Sequence, residues 1–237
     1  MGRVNKIGLW GIGFLLLAFL VQFPIQKIET TWDTWSLPLS GKTIVIDPGH
    51  GGPDGGAVGK DQTNEKEISL LVALKLRDYL QQSGALVYLT REEDTDLAAD
   101  QTKGLSARKS EDIRNRLQFI HDHEADLFVT IHLNSIPSPQ WSGAQTFYYP
   151  KFDESKHLAN MIQAEVIRNL ENTKRSALAM NGIFLLKYAE VPGALVEIGF
   201  LSNELEREQL KTGAYQRKMA ASIYEGILRY TTEEAKE

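Results

Sequence analysis

The stretch TIVIDPGHGG at residues 43–52 decides the fold class of this 237-residue chain. Its first half is rich in β-branched residues, which is typical of a short buried strand. Its second half is a glycine-rich turn, which leaves the His50 side chain uncovered just past the C-terminal end of that strand. A strand that ends in such a turn and leads into a helical pattern indicates an α/β unit.

The same alternation continues along the rest of the chain. Residues 65–83 place apolar side chains three and four positions apart, as one buried face of a helix requires. The pattern predicts further strands at 85–89, 127–131, 144–149, 183–186 and 194–198, helices over 107–122 and 153–171, and two helices after residue 203. We therefore expect the α/β class, with a single domain built on a twisted, mostly parallel sheet of about six strands flanked by helices.

Residues 1–23 predict a membrane segment, either a signal anchor or a signal peptide. Arg3 and Lys6 precede residues 7–23, which carry no charge and are just long enough to span a hydrocarbon core. No pair of alternating small residues follows to mark a cleavage site, which favours the anchor. The basic flank predicts a cytoplasmic N-terminus and an exported remainder, with residues 24–41 as a tether and 42–232 as the functional domain.

Composition and charge exclude several kinds of chemistry. Cysteine is absent, which rules out disulfides, a thiol nucleophile and zinc sites built on thiolates. The net charge of −5 has the wrong sign for a protein that grips nucleic acid, so no nucleic-acid partner is expected. Any catalysis must depend on histidine, carboxylates, hydroxyls or a bound metal.

Three polar residues stand at or near the ends of predicted buried strands. His50 follows the first strand, His132 ends the strand at 127–131, and Glu197 interrupts an otherwise apolar strand. Alone, His132 is typical of a core histidine and Glu197 of an exposed strand face. Together they favour a site, because ligands bind at the C-terminal edge of open α/β sheets. A phosphate loop around His50 is disfavoured, since Asp54 stands where that motif needs glycine.

Two histidines and a carboxylate form a ligand set that zinc uses in enzymes. If Glu197 serves as the base, the third ligand must be another carboxylate or a histidine. Glu65 lies just after the glycine loop and is the favoured ligand. Glu67 remains the competitor, although a capping box with Asn64 would explain that residue.

Four motifs resemble the zinc-dependent N-acetylmuramoyl-L-alanine amidases of the amidase 3 class. They are DPGHGG at 47–52, Glu65-Lys66, TIHLN at 130–134 and EIGFLSN at 197–203, and together they cover residues 42–230 in the order of that family. The resemblance implies zinc held by His50, Glu65 and His132, with Glu197 as the catalytic carboxylate. It also implies hydrolysis of the amide bond between N-acetylmuramic acid and L-alanine in peptidoglycan by a catalytic domain at 42–232.

Finer features are similar to the germination-specific, spore-cortex branch of that family in endospore-forming bacteria. These are the tether, the long loop at 95–106 and the segment WSGAQ at 141–145, in which Trp141 either packs or lines a glycan groove. The resemblance implies that the protein acts on spore cortex, where muramic lactam forms, and has a role in germination.

The expected location is outside the membrane, anchored or secreted, facing wall or cortex. The expected partners are peptidoglycan and, through residues 1–23, the membrane. Whether an accessory protein also binds is left open.

Two other functions remain open at this point. A zinc peptidase that cuts within the stem peptide would use the same metal, water and glutamate. A catalytically inactive wall-binding module is the second alternative, and the four intact polar positions argue against it.

Overall fold

The computed structural model describes residues 37–233, in which strands and helices alternate as the sequence predicts. The elements, in chain order, are β1 (Thr43–Pro48), α1 (Glu65–Gln82), β2 (Leu86–Leu89), α2 (Leu105–Asp122), β3 (Leu127–Asn134), β4 (Gln145–Tyr148), α3 (Asp153–Leu170), β5 (Leu178–Ala179), α4 (Phe184–Tyr188), β6 (Gly193–Phe200), α5 (Glu204–Leu210) and α6 (Gly213–Thr232).

The strands of the described residues form one six-stranded sheet in the order β2-β1-β3-β6-β4-β5. Neighbouring strands run parallel except β4 and β6, which are antiparallel. The predicted α/β domain with a mainly parallel sheet is therefore confirmed. Because β1, β3 and β6 are parallel neighbours, their C-terminal ends meet at one edge of the sheet.

Both faces of the sheet are buried, which explains the continuous apolar runs in its strands. In β1, Ile44 and Ile46 pack into a cluster with residues of α1, α3 and α6. Val45 points to the opposite face, where side chains from α2 and α4 cover the sheet. The large apolar residues of α1 that meet the first cluster recur every four positions, as one buried face of a helix requires: Ile68, Val72, Leu76 and Leu80. Full burial of each such side chain contributes about 1.5–3 kcal/mol.

The described part of the chain begins inside the predicted tether. Leu39 is fully buried, and its backbone N–H donates to the Ser83 carbonyl over 2.9 Å, so this residue packs on the domain while residues 37, 38, 40 and 41 are exposed. The predicted membrane segment at 1–23 and the rest of the tether lie outside the described residues. Between residues 37 and 233, no helix combines the length and the apolarity that crossing a membrane requires.

The predicted strand at 183–186 is wrong. Phe184–Tyr188 forms the short helix α4, and the sixth strand is instead β5, which pairs with β4. Leu185 and Leu186 are both buried in the same apolar cluster. The backbone N–H groups of Lys187 and Ala189 donate to the carbonyls four residues earlier, of Ile183 and Leu185, over 3.1 and 3.0 Å, which is the helical pattern. A short apolar run does not by itself distinguish a strand from a helix.

A buried ion pair fixes the glycine turn after β1. The Nη1 atom of Arg116 on α2 lies 2.7 Å from Oδ1 of Asp47 in β1, and both side chains are almost fully buried. Arg116 also donates to the carbonyls of Pro48 and His50, over 2.7 and 2.6 Å. Burial alone would raise the pKa of Asp47, but Arg116 and two threonine hydroxyls lower it to about 2. The turn is thus held by charges that are fully paired.

We expect Arg116→Met to lower the free energy of unfolding by about 3–5 kcal/mol, because it leaves the buried Asp47 carboxylate without its partner. Urea denaturation at neutral pH measures this loss. The matched control is Arg77→Met, which removes only partly exposed ion pairs to Asp78 and Glu92 and should cost less than about 1 kcal/mol. Equal losses in the two variants would contradict a structural role for the buried pair.

Candidate metal centre

The four predicted site residues lie at the C-terminal edge of the sheet. His50 follows β1 in a left-handed conformation with φ of 63°, and Glu65 is the first residue of α1. His132 lies in β3, which continues to Asn134 rather than ending at residue 131. Glu197 in β6 is the register partner of His132. Partners on neighbouring parallel strands share a face of the sheet, so these two side chains lie on the same side.

His50, Glu65 and His132 converge, with their ligand atoms all within 4.8 Å of one another. The Nε2 atom of His50 lies 3.2 Å from Oε2 of Glu65, and Nδ1 of His132 lies 2.9 Å from Oε1. The centroids of the two imidazole rings are 5.0 Å apart. Two imidazoles and one carboxylate form a donor set that suits zinc, so the residues present fit that ion.

Backbone groups orient the Glu65 carboxylate between the histidines. Oε2 accepts a hydrogen bond from the Ala57 N–H over 2.7 Å, and Oε1 accepts one from the Leu133 N–H over 2.9 Å. Burial alone would raise the pKa of Glu65, but His132 and His50 outweigh it and hold the pKa well below its ordinary value. Glu65 therefore stays ionised, as a metal ligand must.

Glu67 does not reach the histidines. Its side chain is exposed and accepts a long hydrogen bond of 3.4 Å from the Asn64 amide. Asn64 occupies the N-cap position of α1, but its side chain makes no capping hydrogen bond. Of the two carboxylates that the sequence left open, Glu65 is the one that the fold brings to His50 and His132.

Two glycines are required because the loop backbone passes against the candidate ligands. A Cβ atom on Gly49 would lie 2.4 Å from Cε1 of His132. At Gly56, where φ is +70°, a Cβ would lie 2.6 Å from both Oε2 of Glu65 and Cδ2 of His50. Any larger residue at either position would displace a candidate ligand.

Asp54 is a site residue that was not predicted from the sequence. Its Oδ2 lies 2.8 Å from Nδ1 of His50, and Lys109 contacts its other oxygen at 2.9 Å. A carboxylate that accepts one ring N–H fixes the tautomer and presents the other nitrogen to a metal. Burial disfavours the charged imidazole, but Glu65 and Asp54 outweigh it and raise the pKa of His50. An aspartate four residues after the histidine was the available signal.

Glu197 has a different electrostatic environment from Glu65. Its Oε2 atom is buried and has no hydrogen-bond partner within the part of the chain that the structure describes. Burial raises the pKa of Glu197 to about 7; the charge of Glu65 adds to this effect, while His132 and His50 oppose it. Two neighbouring carboxylates whose pKa values are driven apart are typical of a site with one permanent anion and one proton acceptor.

A cleft of about 220 Å³ opens beside the two histidines. Asp54, Lys109 and Ile113 contribute to its walls along with His50 and His132. It offers room for a substrate next to the candidate ligands, between the glycine loop and α2.

Glu65→Ala is expected to weaken zinc binding by more than about 100-fold, because the loss of an outer partner alone costs about 10–100-fold. Isothermal titration of zinc into metal-free protein measures this change, and circular dichroism checks that the variant is folded. Glu67→Ala is the matched control and should bind one zinc per chain with unchanged affinity. If the two variants lost affinity equally, the assignment of Glu65 would be wrong.

Glu197→Gln is expected to stabilise the metal-free protein at pH 8 by roughly 1–3 kcal/mol. The pKa of Glu197 lies near 7 in the folded protein against an ordinary value of 4.5, so the folded state loses stability as the pH rises from about 4.5 to 7, and the full loss is present at pH 8. Below about pH 4.5 the folded and unfolded states are both protonated, and the advantage should vanish. Thermal unfolding at pH 8 and pH 4.5 tests this, and a pH-independent difference would refute it.

Comparison with known proteins identifies the same family as the four sequence motifs. The Amidase_3 family, described as N-acetylmuramoyl-L-alanine amidase, matches residues 44–229. The germination-specific N-acetylmuramoyl-L-alanine amidase of Bacillus subtilis (strain 168) is 55% identical over 222 residues, which cover 94% of this chain and 93% of that protein. The N-acetylmuramoyl-L-alanine amidase LytC of the same organism is 33% identical over 195 residues, covering 81% of this chain and 36% of LytC.

Solved structures include a similar fold. The CwlD amidase from Clostridioides difficile, determined in complex with the GerS lipoprotein, has a TM-score of 0.80 and 42% sequence identity, over 81% of this chain and 100% of that one. The family match spans the described sheet from β1 to β6 and includes all four motifs. The chain therefore belongs to the Amidase_3 family of enzymes, the N-acetylmuramoyl-L-alanine amidases, as its motifs predict.

Proposed function

We propose that this protein is a zinc-dependent enzyme that hydrolyses the amide bond between N-acetylmuramic acid and L-alanine in peptidoglycan. The observation that carries the proposal is the convergence of His50, Glu65 and His132 within 4.8 Å, beside Glu197 on the neighbouring strand. Zinc bound by those three side chains would polarise the scissile carbonyl and lower the pKa of a water molecule.

Glu197 is proposed as the proton carrier of the reaction. Glu197 is buried, its pKa in the metal-free protein is raised to about 7, and such a carboxylate can accept a proton from the attacking water and return it to the departing amine of L-alanine. The water oxygen then forms part of the new lactyl carboxyl group, and the carbon–nitrogen bond breaks. Asp54 holds the His50 ring, and Glu65 remains anionic between the histidines.

Family membership favours the muramoyl amide over a bond within the stem peptide. The three converging ligands and the neighbouring carboxylate argue against an inactive wall-binding module. The same chemistry would cut either amide, however, so the products of the reaction distinguish the amidase from the peptidase.

Spore cortex is the substrate that we propose, with a role in germination. The proposal is supported by 55% identity to a germination-specific amidase over 93% of that protein's length. Removal of the stem peptide frees the lactyl carboxyl that muramic lactam formation needs. We further propose that residues 1–23 export the protein and anchor it on the outer face of the membrane, facing wall or cortex, because a basic flank precedes an uncharged run.

An accessory protein is part of the proposal. The Clostridioides difficile amidase, with 42% identity to this chain, was solved in complex with a lipoprotein, which supports a partner of that kind here.

Mass spectrometry of digested peptidoglycan tests the proposed function. We expect the zinc-loaded protein to release intact stem peptides that begin with L-alanine, a chelator to stop release, and added zinc to restore it. Peptides that begin after L-alanine would indicate the peptidase. Absence of any released peptide from the zinc-loaded protein would support the inactive module.

Glu197→Gln should lower the rate of peptide release by about 10²–10⁴-fold, because it removes the proton acceptor. Zinc binding, measured separately, should persist in this variant. Glu67→Gln is the matched control and should keep the wild-type rate. A fully active Glu197→Gln protein would show that another group moves the proton.

A further inference from the structure

Trp141 is an exposed aromatic residue, with 48% of its surface accessible. It lies in the connection from β3, which carries His132, to β4. The first residue of β4, Gln145, is the register partner of Glu197. The connection therefore begins and ends on strands that border the reacting groups.

A cation holds the Trp141 ring in place. The guanidinium carbon of Arg175 lies 5.9 Å from the centroid of the Trp141 ring and 5.3 Å from that of Phe200. Arg175 also donates to the carbonyls of Ser142 and Gly143, over 2.8 and 2.6 Å. The cation lies over the indole ring, and about half of the Trp141 surface, 48%, is left accessible to a ligand.

The segment that carries Trp141 is fastened to the end of β6. Both oxygens of the buried Glu206 carboxylate accept backbone hydrogen bonds, one from Gly143 over 2.8 Å and one from Phe200 over 2.9 Å. The Asn203 amide donates to the Pro139 carbonyl over 2.9 Å. An aromatic ring that is ordered before binding loses little entropy when a ligand stacks on it.

The position of the ring suits a sugar next to the cleavage point. Phe200 is three residues beyond Glu197 on β6, a distance of about 10 Å along the strand. Trp141 is linked to Phe200 through Arg175 and does not line the cleft beside the histidines, so the ring is set apart from the reacting groups. The negative face of an indole attracts the polarised C–H bonds of a pyranose ring. One ring is too small for a stable protein interface, which needs about 800 Å² on each partner.

We propose that Trp141 is a glycan-binding residue that stacks on the sugar neighbouring the N-acetylmuramic acid whose stem peptide is removed. The inference rests on the proposed function and adds a substrate preference to it. Trp141 makes the enzyme act better on glycan chains than on single-sugar muramoyl peptides.

Kinetics on two substrates with the same peptide test this proposal. One is a tetrasaccharide of alternating N-acetylglucosamine and N-acetylmuramic acid that carries the peptide, and the other is N-acetylmuramic acid alone with that peptide. In Trp141→Ala we expect KM for the tetrasaccharide to rise about 3- to 10-fold, with kcat changed less than about twofold. KM for the single-sugar substrate should not change, and Trp141→Phe should lose less than the alanine variant.

Leu86→Ala is the matched control, since Leu86 is similarly exposed, at 54%, but begins the edge strand β2. It should leave both KM values unchanged, and the thermal unfolding of all variants should match the wild type. If Trp141→Ala left KM for the tetrasaccharide unchanged, or raised both KM values equally, the proposed stacking would be wrong while the amidase function would stand. If the wild-type protein cleaved neither substrate, the proposed function and this inference would fall together.

Discussion

The carboxylate of Glu65 is the interaction on which the rest of the site depends. One of its oxygens bonds the Leu133 N–H and contacts His132, and the other bonds the Ala57 N–H and contacts His50. A buried carboxylate is costly unless its hydrogen bonds are made, and here partners from two separate segments make them. The glycine loop, the start of α1 and the end of β3 are therefore held together by a single side chain.

Charge is distributed unequally around this point. Asp47 and Arg116 satisfy each other under the glycine turn, and Asp54 shares its oxygens between His50 and Lys109. Among the four carboxylates Asp47, Asp54, Glu65 and Glu197, only Glu197 has a buried oxygen without a hydrogen-bond partner in the described residues. The candidate ligands are fixed by paired charges, whereas the proposed proton acceptor, Glu197, is left unpaired. This arrangement lowers the stability of the fold and keeps Glu197 reactive.

Most of the fold could be predicted from the sequence because apolar residues recur at the helical period in α1 and form continuous runs in β1 and β6. The structure has a helix and two strands at these positions. The prediction of a strand at 183–186 was wrong because four consecutive apolar residues show neither the helical period nor the strand period.

The contacts within the candidate site were harder to predict from the sequence. His50, His132 and Glu197 stood out because each follows or interrupts a buried strand. The choice between Glu65 and Glu67 depends on which one faces β3, and the pairing of Asp47 with Arg116 joins positions 69 residues apart. Because such contacts join distant positions, no local sequence pattern predicts them.

X-ray absorption at the zinc K-edge tests whether His50, Glu65 and His132 hold one zinc ion. We expect one zinc per chain with two imidazole ligands in the wild-type protein and one imidazole ligand in His132→Ala. His157→Ala, which alters a histidine on α3 outside the site, should leave two imidazole ligands. A zinc spectrum without imidazole ligands, or one that is unchanged in His132→Ala, would show that these residues do not hold the ion.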